Sequence, residues 1–156
     1  MKNLPKLIVS IAVCELVGIM STPFTLAAIP TWYSTLVKPP FSPPNSIFGP
    51  VWTLLYMMMG VSFFLIWQLG GKKKKVKTAM YYFGVQLALN FLWSITFFGL
   101  RSPVLGLVTI VALLALIILT MKHFYPLSRA AFYLLVPYLL WVTFATILNG
   151  AIVLLN

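Results

Sequence analysis

At 156 residues, 62% hydrophobic and 8% charged, with a mean hydropathy of +1.02, the chain lacks the polar surface of a water-soluble domain. Soluble domains carry roughly a quarter of their residues as charges. The formal charge of +10 sets 11 Lys and Arg against a single acid, Glu15, and one Cys and one His exclude an internal disulfide or a conventional metal cage.

The length gives one domain, 1–156, and five apolar segments divide it: about 7–29, 47–69, 78–100, 103–121 and 130–155. Each is near or above the roughly 20 residues that a helix needs to cross the hydrocarbon core. Backbone groups in lipid must be paired within the segment, so these read as helices. The expected fold is therefore an all-α membrane protein, a five-transmembrane-helix bundle. The first span is too long for a signal-peptide core and no cleavage site follows it, so it is kept as a span. Within it, Glu15 is a lone acid in hydrocarbon. It is expected to be protonated or tied to a partner, serving proton coupling, ligand contact or simple helix packing. Pro23 predicts a kink.

Residues 30–46 form the longest interruption. Pro39, Pro40, Pro43 and Pro44 remove four backbone donors, so this loop cannot be helical. Asn45 or Ser46 is the expected N-cap of the second span. A stiff loop with aromatic residues at both ends, lying on apolar helices, predicts a lid over a ligand pocket. The GGKKKKVK turn reads as a solvated, lipid-hugging loop between the second and third spans. Gly84 and Ala88 form a small-xxx-small pair on the third span, suited to close approach within the bundle or across a dimer. Pro137 predicts a second kink, in the fifth span.

Nine of the cations fall on the N-terminal side of the membrane and two, Lys38 and Arg101, on the lid side. The positive-inside bias therefore puts the N-terminus in the cytoplasm and the lid outside. It also reads the charge as a topology and lipid-headgroup signal, with membrane lipid as a partner and no nucleic acid.

Large aromatics recur at helical spacing. Trp52, Tyr56 and Phe63 share a face of the second span; Asn90, Trp93 and Phe97 share one of the third; Tyr138, Trp141, Ala145, Leu148 and Asn149 share one of the fifth. Trp32, Tyr33 and Trp67 sit near span ends, as an interfacial belt would. Trp93 and Trp141 are too deep for a belt, and Asn90 and Asn149 need partners in hydrocarbon. Depth places these faces together in the half of the bundle beneath the lid.

The stretches WYSTLVKPPFSPP, FGPVWTLLYMMMG, QLALNFLWSITFFGLR and VPYLLWVTFATILN, in that order and spacing, closely resemble the TspO/translocator protein family, formerly the peripheral benzodiazepine receptor. The resemblance covers 18–149. It implies a five-helix bundle, usually a homodimer, in a prokaryotic cell membrane. It further implies a cavity beneath the first loop that takes porphyrins and other hydrophobic ligands, with no cofactor required. The family's pocket residues correspond to Trp52, Asn90, Trp93, Trp141, Ala145 and Leu148. Some bacterial members are reported to break down protoporphyrin in light, which would give Trp52 and Trp141 a photochemical role. Animal members end the last span with Leu-x-Tyr followed by Arg; here the chain reads Leu148-Asn149-Gly150 and then AIVLLN, so sterol binding is not implied.

The expected function is a membrane receptor for tetrapyrroles, with Lys38 or Arg101 contacting the porphyrin carboxylates at the pocket mouth. A transporter is the alternative, against which stand the lack of an inverted repeat, of an interrupted helix pair and of a second intramembrane charge. A conventional enzyme is disfavoured, since no nucleophile–base pair or phosphate loop is present.

Overall fold

The structure is a computed structural model that describes residues 2–156. Helix α1 spans Leu4–Ala28, α2 Asn45–Trp67, α3 Lys74–Ser94 with a wider last turn over Ile95–Gly99, and α4 Pro103–Phe124. The fifth apolar segment is two helices, α5 (Arg129–Leu134) and α6 (Val136–Leu155). The five segments are long and apolar enough to cross a membrane. The outer surface agrees: Ile8, Leu54, Tyr81, Val108, Leu140 and Ile147 lie exposed, as lipid-facing side chains must.

The spans close into a ring in the order α1, α2, α5–α6, α4, α3, with α3 returning to α1. The core runs down the middle through Met59, Leu113, Ile117, Phe124, Tyr138 and Val142. Gly60 sets the tightest approach. A Cβ there would lie 2.5 Å from the Ile11 Cα, so α2 meets the backbone of α1 directly. Gly84 is different, because a Cβ there would meet nothing within 4 Å. With Ala88 it lies exposed on the outer face of α3, so this small pair serves no packing inside the bundle.

Three local expectations are corrected. Neither Asn45 nor Ser46 caps α2. Pro44, already extended at φ −57° and ψ 143°, is the residue before the helix, and its carbonyl takes the Ile47 N–H at 3.1 Å. The lysine run is only partly a loop, since Lys74, Lys75 and Lys77 lie in the first turn of α3, where exposed long stems tolerate helix well. The fifth segment is broken at Leu135, just before Pro137, which has no N–H to continue the ladder and which clashes with the preceding turn. The kink expected at Pro137 is thus a full break of the helix.

Candidate functional site

A cavity of about 440 Å³ opens beneath the loop that joins α1 and α2. Its walls come from α1, the first half of α2, the end of α3 and the middle of α6; α4 contributes nothing. This size suits a drug-sized organic ligand.

The floor is a chain of buried hydrogen bonds. Tyr56 donates its hydroxyl to Asn90 Oδ1 at 2.5 Å, Asn90 Nδ2 donates to the Tyr138 hydroxyl at 2.9 Å, and Tyr138 donates to Gln86 Oε1 at 2.8 Å. Three spans are thereby tied at one depth. All four side chains are at most 5% exposed, so each polar atom left without a partner would carry its full desolvation cost. Gly18 makes room for this layer: a Cβ there would lie 2.7 Å from the Tyr56 ring.

One wall is a file of aromatic rings. Trp52 lies 5.6 Å from Tyr56 and 6.3 Å from Trp93, at interplanar angles of 30° and 33°. Trp93 in turn stacks on Phe97 at 5.5 Å and 27°. The Trp93 indole is fixed by donating Nε1–H to Asn149 Oδ1 at 3.2 Å, while Asn149 Nδ2 donates to the Pro103 carbonyl at 2.8 Å. Gly106 on α4 permits this, because a Cβ there would lie 2.7 Å from Phe97 and 3.0 Å from Asn149 Oδ1. Phe97 sits in the wider turn that ends α3, where the Leu100 N–H reaches back five residues to Ile95. Such turns widen a helix locally and re-aim its side chains. Opposite, Trp141 faces the cavity edge-on to Phe48, at 6.2 Å and 70°, with its buried Nε1 unpartnered. Ala145 and Leu148, one and two turns on toward the lid, line the same side.

The lid folds down as a short turn, Tyr33–Thr35, that buries Tyr33 against Phe97 and Phe98. Tyr33 is 3% exposed, so it is the plug of the lid and no member of an interfacial belt. Burial pushes its phenol above the usual range, which keeps it neutral. The Lys38 ammonium donates to the Tyr33 and Leu36 carbonyls at 2.9 and 3.1 Å and lies 4.7 Å over the Tyr33 ring. Beyond it, Asn156 brackets Val37, accepting its N–H at 3.0 Å and donating to its carbonyl at 2.9 Å.

Of the residues singled out in the sequence, Trp52, Tyr56, Asn90, Trp93, Phe97, Trp141, Ala145, Leu148 and Asn149 line this one cavity. Tyr138 lies one layer below, as the link between Asn90 and Gln86. Lys38 and Arg101 are outside the lining: Lys38 is engaged within the lid, and Arg101 is exposed in the α3–α4 turn at φ +52°. Phe63 packs at the other end of the bundle, 4.9 Å from Phe83. Sequence reasoning missed Gln86, although it stands one turn before Asn90 on the same face. It also missed the α1 wall of Gly18, Ser21, Thr22 and Thr25, whose small residues carry no aromatic signal.

The mouth is lateral. Ile19, Thr22 and Leu26 of α1 and Ser46, Gly49 and Thr53 of α2 line the cavity and are also exposed on the bundle's outside. The cavity therefore opens between two helices toward the lipid.

The profile of the TspO/MBR family matches residues 10–155. The chain is 46% identical to Tryptophan-rich protein TspO of Archaeoglobus fulgidus over 155 residues, 99% of each chain. It is 44% identical to the protein of the same name from Chlorobaculum tepidum, covering 99% of this chain and 98% of that one. The Translocator protein of Bos taurus is 36% identical over 133 residues, 85% of this chain and 79% of that one.

Proposed function

The chain belongs to the TspO/MBR family, and from that premise we propose that it is a membrane receptor for flat hydrophobic ligands of the tetrapyrrole class. The observation that carries this reading is the file of near-parallel rings, Tyr56, Trp52, Trp93 and Phe97, along one wall of the cavity. A macrocycle slides against such a wall with its π-face offset-stacked. Its entry is from the bilayer, through the gap between α1 and α2. The carboxylates of a porphyrin stay at that mouth, because no cation lines the interior among the described residues.

Quenching of tryptophan fluorescence by protoporphyrin in detergent tests this. Saturable quenching is expected, and Trp93→Ala weakens it by ~1–3 kcal/mol, the usual loss for one stacked ring. Unchanged affinity in Trp93→Ala and Trp141→Ala together would remove the receptor reading.

A second reading, light-driven porphyrin breakdown, draws on the indoles of Trp52 and Trp141, both of which face the cavity. An excited macrocycle held there takes an electron from an adjacent indole, leaving a macrocycle radical anion and an indole radical cation, and dissolved dioxygen is the oxidant that the ring opening then consumes. Illuminated complex is expected to bleach faster than porphyrin in detergent alone, and Trp→Phe changes at these two positions slow it.

We further propose a homodimer in a prokaryotic cell membrane, a reading supported by family membership, with the N-terminus cytoplasmic, a reading supported by the nine cations on that side. The bare α3 backbone at Gly84 and Ala88 is the face offered to a second copy.

A further inference from the structure

Glu15 is the protein's one acid, and the fold places it in the wall of the cavity, near mid-span on α1. Its Oε1 is buried with no hydrogen-bond partner. None of the 11 Lys and Arg lines the cavity. The helix-packing account of this carboxyl needs a partner group, and the bundle supplies none for Oε1.

The α1 wall around it is short of donors. Ser21, Thr22 and Thr25 donate their hydroxyls back to the carbonyls of Val17, Gly18 and Ser21 at 2.9, 2.9 and 3.2 Å. Only their lone pairs remain for a guest. The indoles of Trp52 and Trp93 line the same cavity, and an indole π-cloud attracts a cation. An acid with no counter-charge, acceptor hydroxyls on its own wall and indoles in the same cavity are complementary to an amine.

We propose that Glu15 is a specificity-determining residue that recognises a basic amine on an otherwise flat, apolar ligand. The ammonium and the carboxylate neutralise one another inside the cavity, whichever partner brings the proton, and the ring system lies on the aromatic file. A buried charge is tolerated only when paired, so the same carboxyl disfavours ligands that bring an anion to this wall. This rests on the pocket-binding reading above and adds a second ligand class to it.

The test uses the full-length protein in phosphatidylcholine nanodiscs, with tryptophan quenching by two probes that differ in one group, 1-pyrenemethylamine and 1-pyrenemethanol, and by protoporphyrin. Wild type is expected to bind the amine about tenfold more tightly than the alcohol, as a hydrogen bond to a charged group implies. Glu15→Gln is expected to bring the two within about twofold of each other. Equal affinity of amine and alcohol in wild type overturns the proposal, as does a preference that survives Glu15→Gln. The wild-type comparison decides the matter even if the variant fails to fold. Saturable protoporphyrin quenching without amine preference sinks Glu15 alone, whereas no quenching by any probe sinks the pocket reading with it.

Discussion

Asn90 spends both ends of its amide on the floor of the cavity, accepting from Tyr56 and donating to Tyr138. Asn90→Leu therefore strands the buried Tyr56 hydroxyl, while Tyr138 keeps its bond to Gln86. The expected loss is about 1–3 kcal/mol for the unsatisfied group, seen as a lowered midpoint of thermal unfolding in detergent. Tyr56→Phe in that background should recover much of it, because the stranded hydroxyl is then gone while Tyr138 still donates to Gln86. Asn149 acts on the ligand side instead, by holding the Trp93 indole. Asn149→Ala frees the ring, so its effect is expected in ligand affinity more than in stability.

Among the elements, the glycines separate two kinds of surface. Gly60 faces the Ile11 backbone at a distance no Cβ can occupy, so Gly60→Ala drives α1 and α2 apart. Overpacking of this sort costs about 1–3 kcal/mol. Gly84→Ala costs the bundle nothing, since its Cβ enters open space, and helix propensity even favours it by up to about 1 kcal/mol. Gly84→Leu, by contrast, is expected to shift cross-linked or analytically sedimented protein from dimer to monomer with porphyrin quenching intact; a persistent dimer would remove α3 as the interface. The lid is a third element with its own clamps, Lys38 within it and Asn156 from the end of α6. Lys38→Ala with Asn156→Ala loosens it, and stopped-flow quenching is expected to show faster ligand release. Unaltered release would mean that exchange runs wholly through the lateral mouth.

For the whole molecule, the distribution of burial follows the bilayer. Only 17% of the most apolar stretch of α1 is buried within the bundle, against 39% for α4. Helix α1 is thus the most lipid-exposed of the spans, and it borders the cavity mouth. The nine cations of the N-terminal side anchor that end at the headgroups. A cysteine replacing Lys72, in an otherwise Cys14→Ser protein, is expected to be labelled by an impermeant maleimide only after cells are opened; labelling of intact cells would invert the orientation.

Composition and helical spacing were enough for the bundle, the lid and most of the aromatic wall, because hydrophobic runs of span length and a 3.6-residue period are local properties of a chain that must pair its own backbone in lipid. The four prolines announced a rigid loop for the same local reason. What stayed hidden depends on which helices become neighbours. Tyr33 looked like a belt residue until the lid turned it inward onto Phe97, and Lys38 looked like a free cation until the lid's own carbonyls captured it. Gln86 had the right phase but gained its meaning only when α6 brought Tyr138 within reach. Glu15 was plainly anomalous from the start. Only the packing of α1 beside α2 and α3, with every cation outside, decided that Glu15 borders a cavity and leaves Oε1 without a partner, since pairing across a bundle is set by tertiary contact and leaves no mark on the spacing of residues along one helix.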